Sequence, residues 1–240
     1  MSSHEVLDNI KHQHLKVITA QHPRYGDTHS YATIVPSEVA LAHSDYPIFF
    51  RKSSESKKLE LVVLLGLSEH ENLFLSSQGW DAHYIPLSIQ RRPFLIGFTE
   101  QNGTHTPVVS IDMDSPRVNE DEGESVFMPH GGQTGFLQEV NSILLALHEG
   151  HEHTRGLVDA LLRYELIETI TLSLQLDNGE KISIDELHTI NEQKLKDLND
   201  DAIVYLHRHN YMQLIYLLLA SSNNIVKLIK RKNAQLKQAD

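Results

Sequence analysis

Short apolar runs separated by polar turns dominate the first half of the chain. Tyr46-Pro47-Ile48-Phe49-Phe50, Leu61 to Leu67 and Phe94-Leu95-Ile96-Gly97-Phe98 read as buried strands. Leu15 to Ala20, Tyr31 to Val35 and Val108 to Met113 read as further strands. The polar stretch Arg51 to Lys58 predicts a link between two antiparallel strands. Gln101-Asn102-Gly103-Thr104 predicts a turn, because Asn-Gly tolerates positive φ. Pro36-Ser37-Glu38 opens a short helix with Ser37 as its N-cap. Asp81 to Gln90 forms a short helical or turn element that ends before Pro93, since the α region is disfavoured before a proline. Residues 1–14 read as a polar, His-containing lead-in.

The period changes near Gly135. Phe136, Val140, Ile143, Leu144 and Leu147 share one helical face. Gly150 is expected to interrupt that helix, with Thr154 capping a second one through Tyr164. Leu172, Leu174 and Leu176 then alternate with Ser173 and Gln175. Asp177-Asn178-Gly179 and Ile182 and Ile184 follow, which predicts a hairpin. From Asn191 onward the chain reads as helical, with a stripe of Leu214, Leu218, Ile225 and Ile229 interrupted by the polar Ser221 to Asn224. The fold class is α+β, a largely antiparallel N-terminal sheet with a helical C-terminal half containing one extra β-hairpin. Residues 15–240 read as one domain, mostly β over 15–113 and mostly helical over 135–240. Alternating βαβ units are absent, which disfavours a Rossmann-type fold.

Composition narrows the chemistry. A formal net charge of −11 argues against a general nucleic-acid binder, because phosphate neutralisation needs clustered Lys and Arg. With no cysteine, disulfides, thiolate catalysis and Cys-based metal sites are excluded. The first residues show no apolar core of a secretory signal. The run Met212 to Ala220 falls short of the roughly 20 residues needed to span a bilayer. A cytoplasmic protein without a transmembrane segment is the expectation.

Several groups of residues carry candidate chemistry. His148 and His151 lie three apart on a helix, with His153 close by, and imidazoles suit zinc, nickel or iron. The spacing differs from the His-Glu-x-x-His pattern of zinc proteases, and the alternative is a polar turn between helices. Asp112 and Asp114 follow an apolar strand, where paired carboxylates hold Mg²⁺ or Mn²⁺ or simply face solvent ahead of an acidic loop. His130 to Gly135 is a turn before a helix, read either as an anion site or as helix initiation capped by Thr134. Trp80, Tyr84, Arg91 and Arg92 are candidates for an Arg–aromatic ligand pocket, against a core Trp80 with locally paired arginines. Lys227, Lys230, Arg231, Lys232 and Lys237 crowd the last helix, where they complement its dipole or meet an acidic partner or membrane surface.

Blocks in a fixed order add to this. They are Tyr46-Pro47-Ile48-Phe49-Phe50, Leu64-Leu65-Gly66-Leu67, Glu71-Asn72-Leu73-Phe74, Gly79-Trp80 with Tyr84-Ile85-Pro86, and Arg91-Arg92-Pro93-Phe94. Ile111-Asp112-Met113-Asp114-Ser115-Pro116-Arg117, Phe136-Leu137, Thr154-Arg155 and the long helix around Leu214 to Leu228 continue the series. Over roughly Ile34 to Leu228 the chain resembles the bacterial SapC family. The resemblance implies an association with surface-layer proteins, from which the family takes its name. It also implies genes encoded near halogenase-like proteins, cupin-like proteins and TonB-dependent receptors. It brings no established catalytic residues and leaves the cofactor unknown.

The leading expectation is therefore a SapC-like accessory or interaction protein. It would act with a protein partner from a neighbouring gene, such as a halogenase-like or cupin-like protein, and could form a homo-oligomer. The alternatives are a metal-dependent enzyme using His and carboxylate ligands, and a surface-layer-associated component.

Overall fold

The computed structural model describes residues 3–76, 78–101 and 104–239. The elements run β1 (His4–Val6), β2 (Lys16–Val17), β3 (Tyr31–Ile34), α1 (Val39–Ala42), β4 (Ile48–Lys52), β5 (Leu59–Leu64), β6 (Leu75–Ser76) and β7 (Gly79–Trp80). Then come α2 (Leu87–Gln90), β8 (Phe94–Gln101), β9 (Thr104–Asp112), β10 (Val118–Asn119), β11 (Glu124–Ser125) and α3 (Gly135–Arg163). The chain ends with β12 (Ile167–Gln175), β13 (Lys181–Ile190), α4 (Glu192–Lys196), α5 (Asp200–Arg208), α6 (Tyr211–Ser221) and α7 (Ile225–Ala239). The fold is α+β with antiparallel sheets and helices gathered in the C-terminal half.

The chain packs as two compact units. The first comprises residues 1–27, 75–80 and 87–149, and the second residues 28–74, 81–86 and 150–240. In the first unit the sheet order is β1-β9-β8, with a small β10-β2-β11 sheet and the β6–β7 hairpin. The polar lead-in thus contributes a strand, pairing Glu5 with Ile111. The predicted strand Leu15 to Ala20 shortens to Lys16–Val17, because the backbone beyond it is claimed by Arg117, whose Nη1 donates to the carbonyls of Ile18 and Ala20. The core of this unit gathers Leu15, Val17, Phe94, Ile111, Val126, Leu137, Val140 and Leu144. The α3 stripe read from the sequence is thus anchored by its buried Val140, Leu144 and Leu147, with Leu137 added. Asn102 and Gly103 of the predicted turn lie outside the described residues; β8 and β9, which flank them, pair antiparallel.

In the second unit the order is β12-β13-β4-β5-β3. The Arg51 to Lys58 link joins β4 and β5 as predicted, closed by Ser53 N–H to Lys58 O at 2.8 Å. The β12–β13 hairpin also forms, turning at Gly179 with φ 88°. Three local expectations are corrected. α3 continues through Gly150, because a Cβ there would come within 2.5 to 2.7 Å of the Val35 side chain, so the glycine serves close packing rather than a break. Thr154 accordingly does not cap a helix; its buried hydroxyl donates to Gly150 O one turn back. Val35 rather than Ser37 precedes the turn at Pro36, and its N–H is received by the Glu38 carboxylate at 2.8 Å.

A fourth correction concerns the C-terminal stripe. The buried row is Ile215, Leu218, Ser221, Asn224 and Leu228, so the polar residues belong to it. Ser221 Oγ accepts from Ile48 N and donates to Leu218 O. Asn224 Nδ2 donates to the carbonyls of His43 and Tyr46. A 3₁₀ turn at Ser222–Asn224 links α6 to α7.

Candidate functional site

The arginines of the predicted pocket belong to the first unit. Arg91 Nη1 donates to Phe94 O at 2.7 Å, and burial pushes its pKa down. Arg92 Nη1 donates to Gly26 O at 3.3 Å and stands 4.0 Å from Asp27 Oδ1. Its pKa is lowered, mainly by burial and further by the nearby Arg91 and Arg117 charges, while Asp27 opposes the shift. Asp27 and Arg117 form the centre of this cluster. Arg117 Nη2 donates to Asp27 Oδ2 at 2.5 Å, with side-chain exposures of 2% and 0%. Asp27 also receives His22 N–H at 2.8 Å, so the carboxylate closes the His22–Asp27 loop as well. Trp80, also in this unit, is half-buried and pairs with Leu75 across the β6–β7 hairpin.

Tyr84 belongs to the second unit. Its hydroxyl donates to Glu38 Oε1 at 2.8 Å, and its backbone carbonyl accepts from the Tyr46 hydroxyl. Burial, and then the Glu38 charge, push the Tyr84 pKa well above the usual phenol range. This is a scaffold contact: Glu38 is itself buried and holds the Val35 N–H.

The metal candidates have other local roles. His148 is exposed and rests its ring 5.5 Å from that of Phe98. His151 and His153 are exposed on the second half of α3. Asp112 Oδ1 accepts from Asp114 N, and Asp114 Oδ2 accepts from Ser3 N, so both carboxylates order the strand end. Among the described residues, no group of three or more His, Asp or Glu side chains is arranged to hold a metal ion. Thr134 caps α3, accepting from Leu137 N at 3.2 Å.

Four basic residues of α7 are paired across elements of the second unit. Arg231 binds Asp81 at 2.6 Å, Lys232 binds Glu71 at 2.6 Å, and Lys237 meets Asp177 at 3.2 Å. Lys227 donates to Ser44 O. These contacts fix the helix, a role the dipole argument did not contain.

The structure adds two surfaces: a groove the sequence did not point to, and the face of the apolar run Met212 to Ala220. In the first unit, a groove of about 560 Å³ opens between the β1-β9-β8 sheet and α3. Ile96, Pro107, Val109, Leu137, Leu144 and Leu145 supply apolar walls, and Asp8, Asn9, Gln133 and Asn141 supply polar ones. Asn141 Nδ2 donates to Gln133 Oε1 at 3.2 Å, while Asn141 Oδ1 is buried without a hydrogen-bond partner. The available signal was an asparagine four residues after Leu137 and three before Leu144, inside an otherwise apolar stripe.

In the second unit, the surface is α6. Its sequence, YMQLIYLLLAS, is strongly apolar, yet only Ile215, Leu218 and Ser221 are buried. Tyr216 is 58% exposed, and Val226 on α7 and Ile203 and Val204 on α5 are also exposed. The run Tyr211–Lys237 is, among the described residues, the one long and apolar enough to cross a membrane by length and composition, with 28% of its apolar window buried. It is longer than the nine-residue run read from the sequence because α6 and α7 continue through the intervening 3₁₀ turn.

A model of the SapC family matches residues 7–228. No curated protein and no solved structure matches the chain.

Proposed function

Starting from the fact that the chain belongs to the SapC family, we propose that it is an accessory protein that docks a partner protein in the bacterial cytoplasm. The observation that carries this reading is α6, an apolar helix with three buried residues in eleven and an outward Tyr216. α6 leaves Tyr216 exposed, and α5, which packs against it, leaves Ile203 and Val204 exposed; an exposed apolar patch is the usual mark of an interaction site. A helix face of this kind fits the groove of a partner through side chains spaced three and four apart. The candidate partner is a neighbouring-gene product such as a halogenase-like or cupin-like protein.

Co-expression with the neighbouring-gene protein, followed by affinity capture, tests the reading. Stoichiometric co-elution with the wild-type chain, lost on Tyr216→Glu with the far-UV spectrum intact, supports it. Failure of the wild-type chain to retain a stoichiometric partner refutes docking. Retention of the partner by Tyr216→Glu refutes α6 as its site. Sedimentation with anionic vesicles would assign α6 to a membrane surface instead.

A further inference from the structure

We infer that the groove of the first unit binds a small, uncharged amphiphile: an apolar body carrying a hydroxyl or similar neutral hydrogen-bond donor. Its volume of about 560 Å³ falls within the usual range of small-molecule sites, about 300–1,000 Å³. The apolar walls come from three separate elements, β8, β9 and α3, and enclose space that burial of the ligand's hydrocarbon would fill. The polar wall selects the head group. Asn141 spends its amide N–H on Gln133 and leaves Oδ1, an acceptor, buried and unpartnered. An unmet buried acceptor is costly, and a donor that reaches it removes that cost. In the bound state a small shift of the side chain, with its bond to Gln133 kept, presents this oxygen to the ligand. An anionic head is rejected twice, by the Asn141 acceptor and by the ionised Asp8 at the rim. Bonds from Lys11 and Ile10 N–H hold the Asp8 carboxyl below its usual pKa. This site is independent of α6, which belongs to the other unit.

Calorimetric titration of the whole chain with three matched probes tests the inference: 1-octanol, heptyl methyl ether and octanoate. All have similar hydrocarbon bodies, but only the alcohol donates. Octanol should bind about fivefold more tightly than the ether, the worth of one net hydrogen bond. Octanoate should bind more weakly than either. Asn141→Leu should abolish the octanol preference while leaving the ether's affinity in place, and Leu145→Glu at the exposed mouth should abolish binding of all three. Saturable binding of none of the probes overturns the site. Persistence of the octanol preference in Asn141→Leu overturns the role of the amide. Octanoate binding most tightly would mean that an N–H faces the groove, and it overturns the assigned ligand class.

Discussion

Replacing Arg117 with Met removes the cation of a buried pair while keeping most of the side chain's hydrocarbon. Asp27 is then left fully buried, having lost a 2.5 Å charged hydrogen bond. Two carbonyls, of Ile18 and Ala20, lose 2.8 Å bonds as well. Removing one partner of a buried ion pair costs about 3–5 kcal/mol. Asp27 keeps the His22 N–H, and Arg92 stands 4.0 Å away, so the lower end of that range, about 3 kcal/mol, is expected. With a urea m-value of about 2 kcal/mol/M, the unfolding midpoint should fall by about 1.5 M. Trp80, the single tryptophan, lies in the same unit and reports its unfolding by fluorescence. Adding Asp27→Asn should recover part of the loss, because an uncharged amide is cheaper to leave without a cation. A midpoint shift under about 0.5 M, or a double variant as unstable as the sum of the two singles, would refute the reasoning.

Gly150→Ala would stabilise an exposed helix by about 1 kcal/mol, but here the new Cβ meets Val35 and a loss of about 1–3 kcal/mol is expected. Thermal melts read the sign, and a rise in Tm would contradict the close packing. The raised pKa of Tyr84 contributes stability that is complete below the unfolded phenol value of about 10 and lost as pH rises beyond it. Urea midpoints between about pH 8 and 11 should fall less steeply for Tyr84→Phe, and parallel curves would dismiss this contribution. Burial, and then the Lys52 charge, lower the pKa of His188, whose Nδ1 lies 3.0 Å from Thr169 Oγ1. Its neutral form is therefore favoured in the fold, so its contribution is present above about pH 6.5 and disappears as pH falls through the lowered value. His188→Gln should flatten that acid limb, and an unchanged limb would exclude His188 as its source.

Wherever apolar periodicity was strong, the sequence specified the element. The β12–β13 hairpin and the β4–β5 pair formed where alternation and turn residues agreed. Errors arose at residues whose role depends on a distant neighbour. Propensity alone makes Gly150 a helix end, whereas its actual role rests on Val35, far away in sequence. Ser221 and Asn224 looked like an interruption because their partners are backbone groups of Ile48, His43 and Tyr46. Asp27 carries no local signal, since its partner Arg117 lies ninety positions on. Arg91 and Arg92 stand out in the sequence as pocket candidates, but Arg92 draws its surroundings from Gly26 and Asp27. The groove was illegible because its walls are assembled from β8, β9 and α3. Only the out-of-place Asn141 hinted at it.

The interleaving of the two units bears on how the protein is made. The chain passes between them after residues 27, 74, 80, 86 and 149. No single cut in the gene releases either unit as one continuous piece. On the ribosome, the first unit has its full complement of residues once Glu149 has emerged. The second must keep its early strands waiting until α6 and α7 arrive to cover Ile48 and tether Asp81. During that interval β4 lacks the helix that packs on it, which is a stage at which a nascent chain exposes apolar surface and needs a chaperone.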